Sequence, residues 1–99
     1  MPQRLIVYWR DIPAQVIVRE GRRAERRELP ERFIQAIDQA AMQTGARDSE
    51  AYLAEWRRGR PEPCGDDMPA EADAARAALD TAFDPERLSS LVRNGGRAE

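Results

Sequence analysis

The sequence has no lysine, no histidine, a single cysteine (Cys64), and only two each of Trp, Tyr and Phe in 99 residues. All 16 cationic side chains are therefore arginines. Without histidine there is no Ser–His–Asp triad, no imidazole proton shuttle and no His-ligated zinc. With one cysteine the chain makes no internal disulfide and no thiolate zinc cage of its own. Leu, Ile, Val and Phe are sparse and Ala is abundant, so a thin core closed by near approach of helices is expected. The longest apolar run, Leu5 to Trp9, falls far short of the roughly 20 residues of a membrane-spanning helix. Met1-Pro2-Gln3-Arg4 opens no signal-peptide apolar stretch, and a reducing, cytoplasmic setting is the expectation.

What is present is charge, unevenly placed. Residues 1–60 hold 12 Arg against 9 acids, while residues 61–99 hold 4 Arg against 9 acids, so a net of +3 faces a net of −5. Such a split is either a solvated surface with local pairing or an acidic segment that covers the basic half.

The patterning predicts an α+β chain: an N-terminal antiparallel β-hairpin or three-stranded meander followed by three to four helices. Gln3 to Arg10 alternates, with Leu5, Val7 and Trp9 on one face and Ile6, Tyr8 and Arg10 on the other. Asp11 to Ala14 reads as a connection around Pro13, and Gln15 to Glu20 as a second strand, with Ile17 assigned to the face of Ile6 and Tyr8. Gly21 is a turn. Arg22 to Leu29, almost wholly charged, suits a solvent-facing third strand at a sheet edge. One apolar sheet face is thereby left for the C-terminal helices or a partner to cover. Pro30 and Glu31 open a helix carrying Phe33, Ile34, Ile37, Ala40 and Ala41, which Gly45 closes. Asp48 is placed as the N-cap of a second helix with Tyr52, Leu53 and Trp56 on one face and Arg57-Arg58-Gly59-Arg60 at its end. Met68, Ala72, Ala75, Leu79, Ala82 and Phe83 form a third helical stripe. Asp84-Pro85 starts a short fourth helix with Leu88, Leu91 and Val92. The division expected is a core over residues 1–58, a linker over 59–67, a mobile acidic Ala-rich helical tail over 68–94 and a frayed end over 95–99.

Few residues carry chemistry. Asp66, Asp67, Glu71 and Asp73 miss the calcium-loop spacing and read as an acid-rich helix start, so no metal is expected. Cys64 has no base beside it to form a thiolate and reads as inert. Gly59, Gly65 and Gly95-Gly96 match no phosphate loop, and no catalytic residue or cofactor is assigned. The expectation is a non-catalytic protein whose partner is another protein. Trp, Tyr and Arg are the residues most enriched where protein interfaces gain their energy, which singles out Tyr8, Arg10, Trp56, Arg57 and Arg58. Trp9 and Trp56 also read as core members that meet where the second helix packs on the sheet.

The alternative partner is nucleic acid, through Arg19, Arg22, Arg23, Arg26 and Arg27, because the planar guanidinium fork matches phosphate. Glu28 to Phe33, Gly45 and Ser49 to Leu53 resemble the ribbon-helix-helix family, which implies a dimeric DNA-binding regulator. Against it stand the acids among these arginines and the net charge of −2. A longer likeness runs through Arg4-Leu5-Ile6-Val7-Tyr8-Trp9-Arg10-Asp11-Ile12-Pro13-Ala14-Gln15-Val16, Pro30-Glu31-Arg32-Phe33, Ala36-Ile37-Asp38 and Ala51-Tyr52-Leu53-Ala54-Glu55-Trp56. Over residues 4 to about 58 the chain resembles a family of small proteobacterial "virulence factor" proteins without an assigned activity. The resemblance implies an accessory role near one-carbon and corrinoid methyltransfer and hands over no catalytic residues. All-arginine usage is what a GC-rich genome produces, and carries no functional weight.

Overall fold

The computed structural model describes residues 1–45 and 50–98. Three strands form an antiparallel meander, β1 (Gln3–Trp9), β2 (Ile12–Glu20) and β3 (Arg23–Glu28). The β1–β2 turn is shorter than the sequence implies: Asp11 to Ala14 is no connection, since Ile12 already pairs with Trp9. Arg10 and Asp11 alone make the turn, with Arg10 in the left-handed region at φ 53°. The strand absorbs Pro13 by a bulge. Val7 pairs with Gln15 and Tyr8 with Pro13, which leaves Ala14 as the extra residue. Its carbonyl accepts from the Leu29 amide at 3.1 Å, so the irregularity is hydrogen-bonded. The register also corrects one facing: Leu5 lies directly opposite Ile17 and Ile6 opposite Val16, so Ile17 shares its face with Leu5 and not with Ile6.

Helix α1 (Glu31–Gln43) follows, with Pro30 just outside it in extended geometry. Its buried stripe is Phe33, Ala36, Ile37, Ala40 and Ala41, whereas Ile34 stays 43% exposed. The Asp48 cap falls outside the described residues. The second helix is only α2 (Glu50–Ala54), and Trp56 to Arg58, expected to finish it, form strand β4 against β1. Pairing of Trp56 with Trp9, two large side chains suited to a pleated surface, outweighs the helical propensity of a short segment. The segment expected to be a linker supplies β5 (Glu62–Pro63), which pairs with Gln3 and Arg4. The sheet order is β3-β2-β1-β4, with β5 beside β4 along the same edge of β1.

Helices α3 (Met68–Ala82) and α4 (Pro85–Arg93) are capped as their sequences imply. Asp67 accepts from the Ala70 amide and Asp84 from the Arg87 amide. The acidic helix α3 is no loose tail. Met68 and Ala72 are buried against Val16 and Val18, with Ile6 at the margin, and this covers the sheet face left open by the sequence. Its acids reach the basic half: Asp73 pairs with Arg27 at 2.7 Å, Asp80 with Arg32 at 2.7 Å, and Glu71 lies 3.9 Å from Arg4. These pairs are partly exposed and screened by solvent, so each adds little to stability. Full burial of Met68 is worth roughly 1.5–3 kcal/mol, so apolar packing holds the helix and charge sets its place. A second cluster lies at the turn end of the sheet, where Trp9 and Ile12 meet α1 and the Leu88 and Leu91 face of α4.

The segment after α4 docks instead of fraying. The Asp11 amide donates to the Gly96 carbonyl at 2.8 Å, and the Ala98 amide to Asp11 Oδ2 at 2.7 Å. Gly96, at φ 90°, lies flat on the Trp9 indole, and a Cβ there would stand 2.9 Å from Cζ3. Gly96→Ala therefore combines left-handed strain with a clash against a buried ring, and should destabilise by about 2–4 kcal/mol. Gly21→Ala, with φ 60° and nothing within 4 Å, should cost only about 1 kcal/mol. Urea unfolding of the two variants measures the difference, and equal losses would mean that the Gly96–Trp9 contact does not constrain the fold.

Candidate functional site

The five residues singled out for protein contact all lie at the β1–β4 edge and its turn, but they divide by role. Trp9 is fully buried and its Nε1–H donates to the Tyr52 carbonyl at 2.9 Å. Trp56 is its half-buried strand partner, and Tyr52 lies between the two rings, 5.8 Å from Trp9 and 6.0 Å edge-on from Trp56. The tryptophans meet, as expected, though through strand pairing and not through a helix on the sheet. Arg10 is committed inward. Its side chain is 14% exposed, covers the Trp9 ring at 4.8 Å and donates from Nη1 to the Gly95 carbonyl at 2.7 Å. Its Nε is 3.3 Å from Glu55 Oε2 but off the hydrogen-bond line, and no other acceptor reaches it. Arg97 binds the same Glu55 oxygen at 2.9 Å. Arg10 is thus a strut between turn and C-terminal segment.

Tyr8, Arg57 and Arg58 remain at the surface. Alternation along β1 and β4 puts Tyr8 and Arg57, which pair directly, on one face of the sheet, and Arg58 on the other. The Arg57 guanidinium stacks 4.4 Å above the Tyr8 ring, donates from Nε to the Arg10 carbonyl at 3.1 Å and lies 3.3 Å from Asp11 Oδ1. From the other side Gly59 approaches so near that a Cβ would meet Tyr8 Cε1 at 3.0 Å and the Ile6 carbonyl at 3.1 Å. The phenol ring is thereby held between a cation and bare backbone.

Around it opens a shallow groove of about 430 Å³, floored by Leu5, Ile6 and Tyr8 and bordered by Arg4, Arg57 and Arg60. Glu62 and Ala98 complete its rim. Beyond Arg4 and Ile6 it continues into a second depression, whose wall is Ala74, Ala75 and Ala78 of α3. The sequence singled out Tyr8 and Arg57 but not Arg4, Gly59 or Arg60. Arg4 shares the Tyr8 face through the alternation of β1 itself, whereas Gly59 and Arg60 come to the groove because 56–58 and 62–63 both pair with β1.

The alternative arginines all lie on the β2–β3 hairpin. Arg22, Arg23 and Arg26 are exposed, Arg19 is half-buried, and Arg27 is engaged by Asp73 and Glu25. Of the second helix in the ribbon-helix-helix likeness, the described part is Glu50–Ala54, and it runs into β4. Among the described residues no group of three or more Cys, Asp or Glu side chains gathers to hold a metal ion, and no helix is long and apolar enough to cross a membrane.

Cys64 follows β5 and carries a thiol whose pKa is raised, first by burial and then by the Glu71 carboxylate, with lesser upward effects of Asp66 and Glu20, against an opposing pull from Arg4. All but the last disfavour thiolate, the reactive form. Alkylation of Cys64 by iodoacetamide at pH 8 should be several-fold slower in the native protein than in urea, and faster in Glu71→Gln than in the native parent. An unchanged rate in Glu71→Gln would remove the electrostatic part of this account.

No curated protein and no solved structure matches the chain. The sequence profile described as "Virulence factor" matches residues 7–92, a span that includes β1 from Val7, the Tyr8–Arg57 pair and both C-terminal helices. The chain belongs to the Virulence factor family.

Proposed function

We propose that this member of the family is a non-catalytic binding protein that docks another protein along the Tyr8 groove. The observation that carries the reading is the construction of Tyr8 itself: a large amphipathic ring, ordered by Arg57 above and Gly59 beside it, at the bottom of an open groove. A side chain fixed before contact loses little conformational entropy on binding, which is why ordered Tyr and Arg residues dominate interface energetics. Ile6 and the Tyr8 ring, set among three guanidiniums and the Asp11 and Glu62 carboxylates, make the lining of an interface, an apolar centre within a polar rim. The family's name describes a phenotype and no chemistry. An accessory place beside one-carbon and corrinoid methyltransfer enzymes, which the family resemblance implies, would be filled by a binder of this kind.

A photo-crosslinking side chain placed at Arg60, at the groove rim, and another at Glu86, on α4, provides the test in lysate of the native source. A discrete adduct from position 60 is expected. It should be absent from position 86 and several-fold weaker when Tyr8→Ala is added. No adduct at position 60, or one indifferent to Tyr8, would sink the reading.

A further inference from the structure

The opposite face of the sheet carries a second cavity that the Tyr8 groove does not share. It measures about 360 Å³ and lies between the start of α1 and the β4 edge. Trp56 forms one wall, Leu29 and Ile34 the other, and Ala14 and Gln15 of the bulged strand the floor. Two carboxylates, Glu28 and Glu31, stand on its lining, and neither has an ion-pair or hydrogen-bond partner among the described residues. Three neighbouring cations are engaged elsewhere. Arg32 turns to Asp80 and to the carbonyls of Asp80 and Phe83, Arg27 turns to Asp73, and Arg76 reaches only the backbone carbonyl of Glu28. Arg26 and Arg58 share this face of the sheet by register but do not line the cavity.

We propose that this cavity receives a basic side chain, arginine or lysine, from a segment of a partner protein. An aliphatic stem would lie along Leu29 and Ile34, and the cationic head would meet Glu28, Glu31 and the face of Trp56. The assignment follows from complementarity. An indole beside two unpaired carboxylates attracts a cation and offers nothing to an anion. Tyr52 meets Trp56 edge-on at 6.0 Å, which helps to fix the indole as a wall. A protein segment fits better than a free amine because the apolar surface runs on past the cavity: Ile34, 43% exposed, extends it over the rim, where a residue next to the basic one would pack. The inference stands apart from the Tyr8 groove, since Trp56 and Tyr8 lie on opposite faces of the sheet.

The full-length protein is titrated with the peptide acetyl-Gly-Gly-Arg-Leu-Gly-Gly-amide and with the same peptide carrying citrulline for arginine, and followed by amide and methyl NMR. Arginine peptide should shift the Trp56 indole, the Gln15 side-chain amide and the Ile34 methyl signals. Citrulline peptide, and arginine peptide on a Glu28→Gln/Glu31→Gln variant with an unchanged melting temperature, should each bind about tenfold more weakly. Four results would overturn the proposal. They are the absence of shifts at Trp56 and Ile34, equal binding of the citrulline peptide, equal binding of free arginine amide, which marks a small-amine site, and saturation of the same signals by concentration alone, which marks a second copy as the occupant. Each is read at Trp56, whereas the crosslink at position 60 reports the other face, so either idea can fail without the other.

Discussion

The burial of Trp9 is the constraint on which the rest of the molecule depends. One residue of β1 pairs with Ile12 on one side and Trp56 on the other, donates its indole N–H to Tyr52, and lies under both Gly96 and the Arg10 guanidinium. The core cluster around this ring takes in Ile12 of β2, the buried stripe of α1, Tyr52 of α2, Leu79 of α3, and Leu88 and Leu91 of α4. An indole is large enough to be touched from several directions at once, and its single polar atom needs one acceptor. That acceptor is the backbone carbonyl of Tyr52 in α2, so the indole ties α2 to the sheet.

Much of the fold was legible because it is written in local chemistry. Alternation in Gln3–Trp9, the charge of Arg23–Glu28, the periodic apolar positions of α1 and the Asp-Pro start of α4 each specify an element without help from distant residues. The errors have a common cause. Trp56-Arg57-Arg58 and Glu62-Pro63 are strands only because β1 presents an open edge to them, and two or three residues carry no period of their own. The Ala14 bulge was equally silent: it exchanges the expected facing of Ile17 and lets a proline lie inside a strand. The candidate site shows the same division. Tyr8 and Arg57 stand out by residue type and Arg4 follows from the alternation of β1, but Arg60 joins them through strand pairing, and nothing in the sequence distinguishes Trp56 as a cavity wall from Trp9 as a buried pin.

Charge does different work on the two faces of the sheet. On the Tyr8 face, acids of α3 meet basic strands, so attraction guides the helix while Met68 and Ala72 hold it. Arg4, Arg57 and Arg60 lie beyond the part of that face covered by α3 and border the groove. On the Trp56 face the cavity lining carries Glu28 and Glu31, which no described cation pairs, while Arg26 and Arg58 of the same face lie outside it. A near-neutral chain thus presents two local surfaces of opposite character, which the net charge of −2 conceals.

The clasp between Asp11 and residues 96–98 also has a consequence in time. Its hydrogen bonds join positions as far as 87 residues apart, so they close one of the longest loops that the chain contains. During synthesis the hairpin turn emerges more than 80 residues ahead of the segment that covers the central indole. Until then the most apolar part of the nascent chain has a face to lose to solvent or to a neighbour. The charged strand Arg23–Glu28, made soon after it, occupies one edge of that unfinished sheet and discourages such encounters until residues 96–98 arrive.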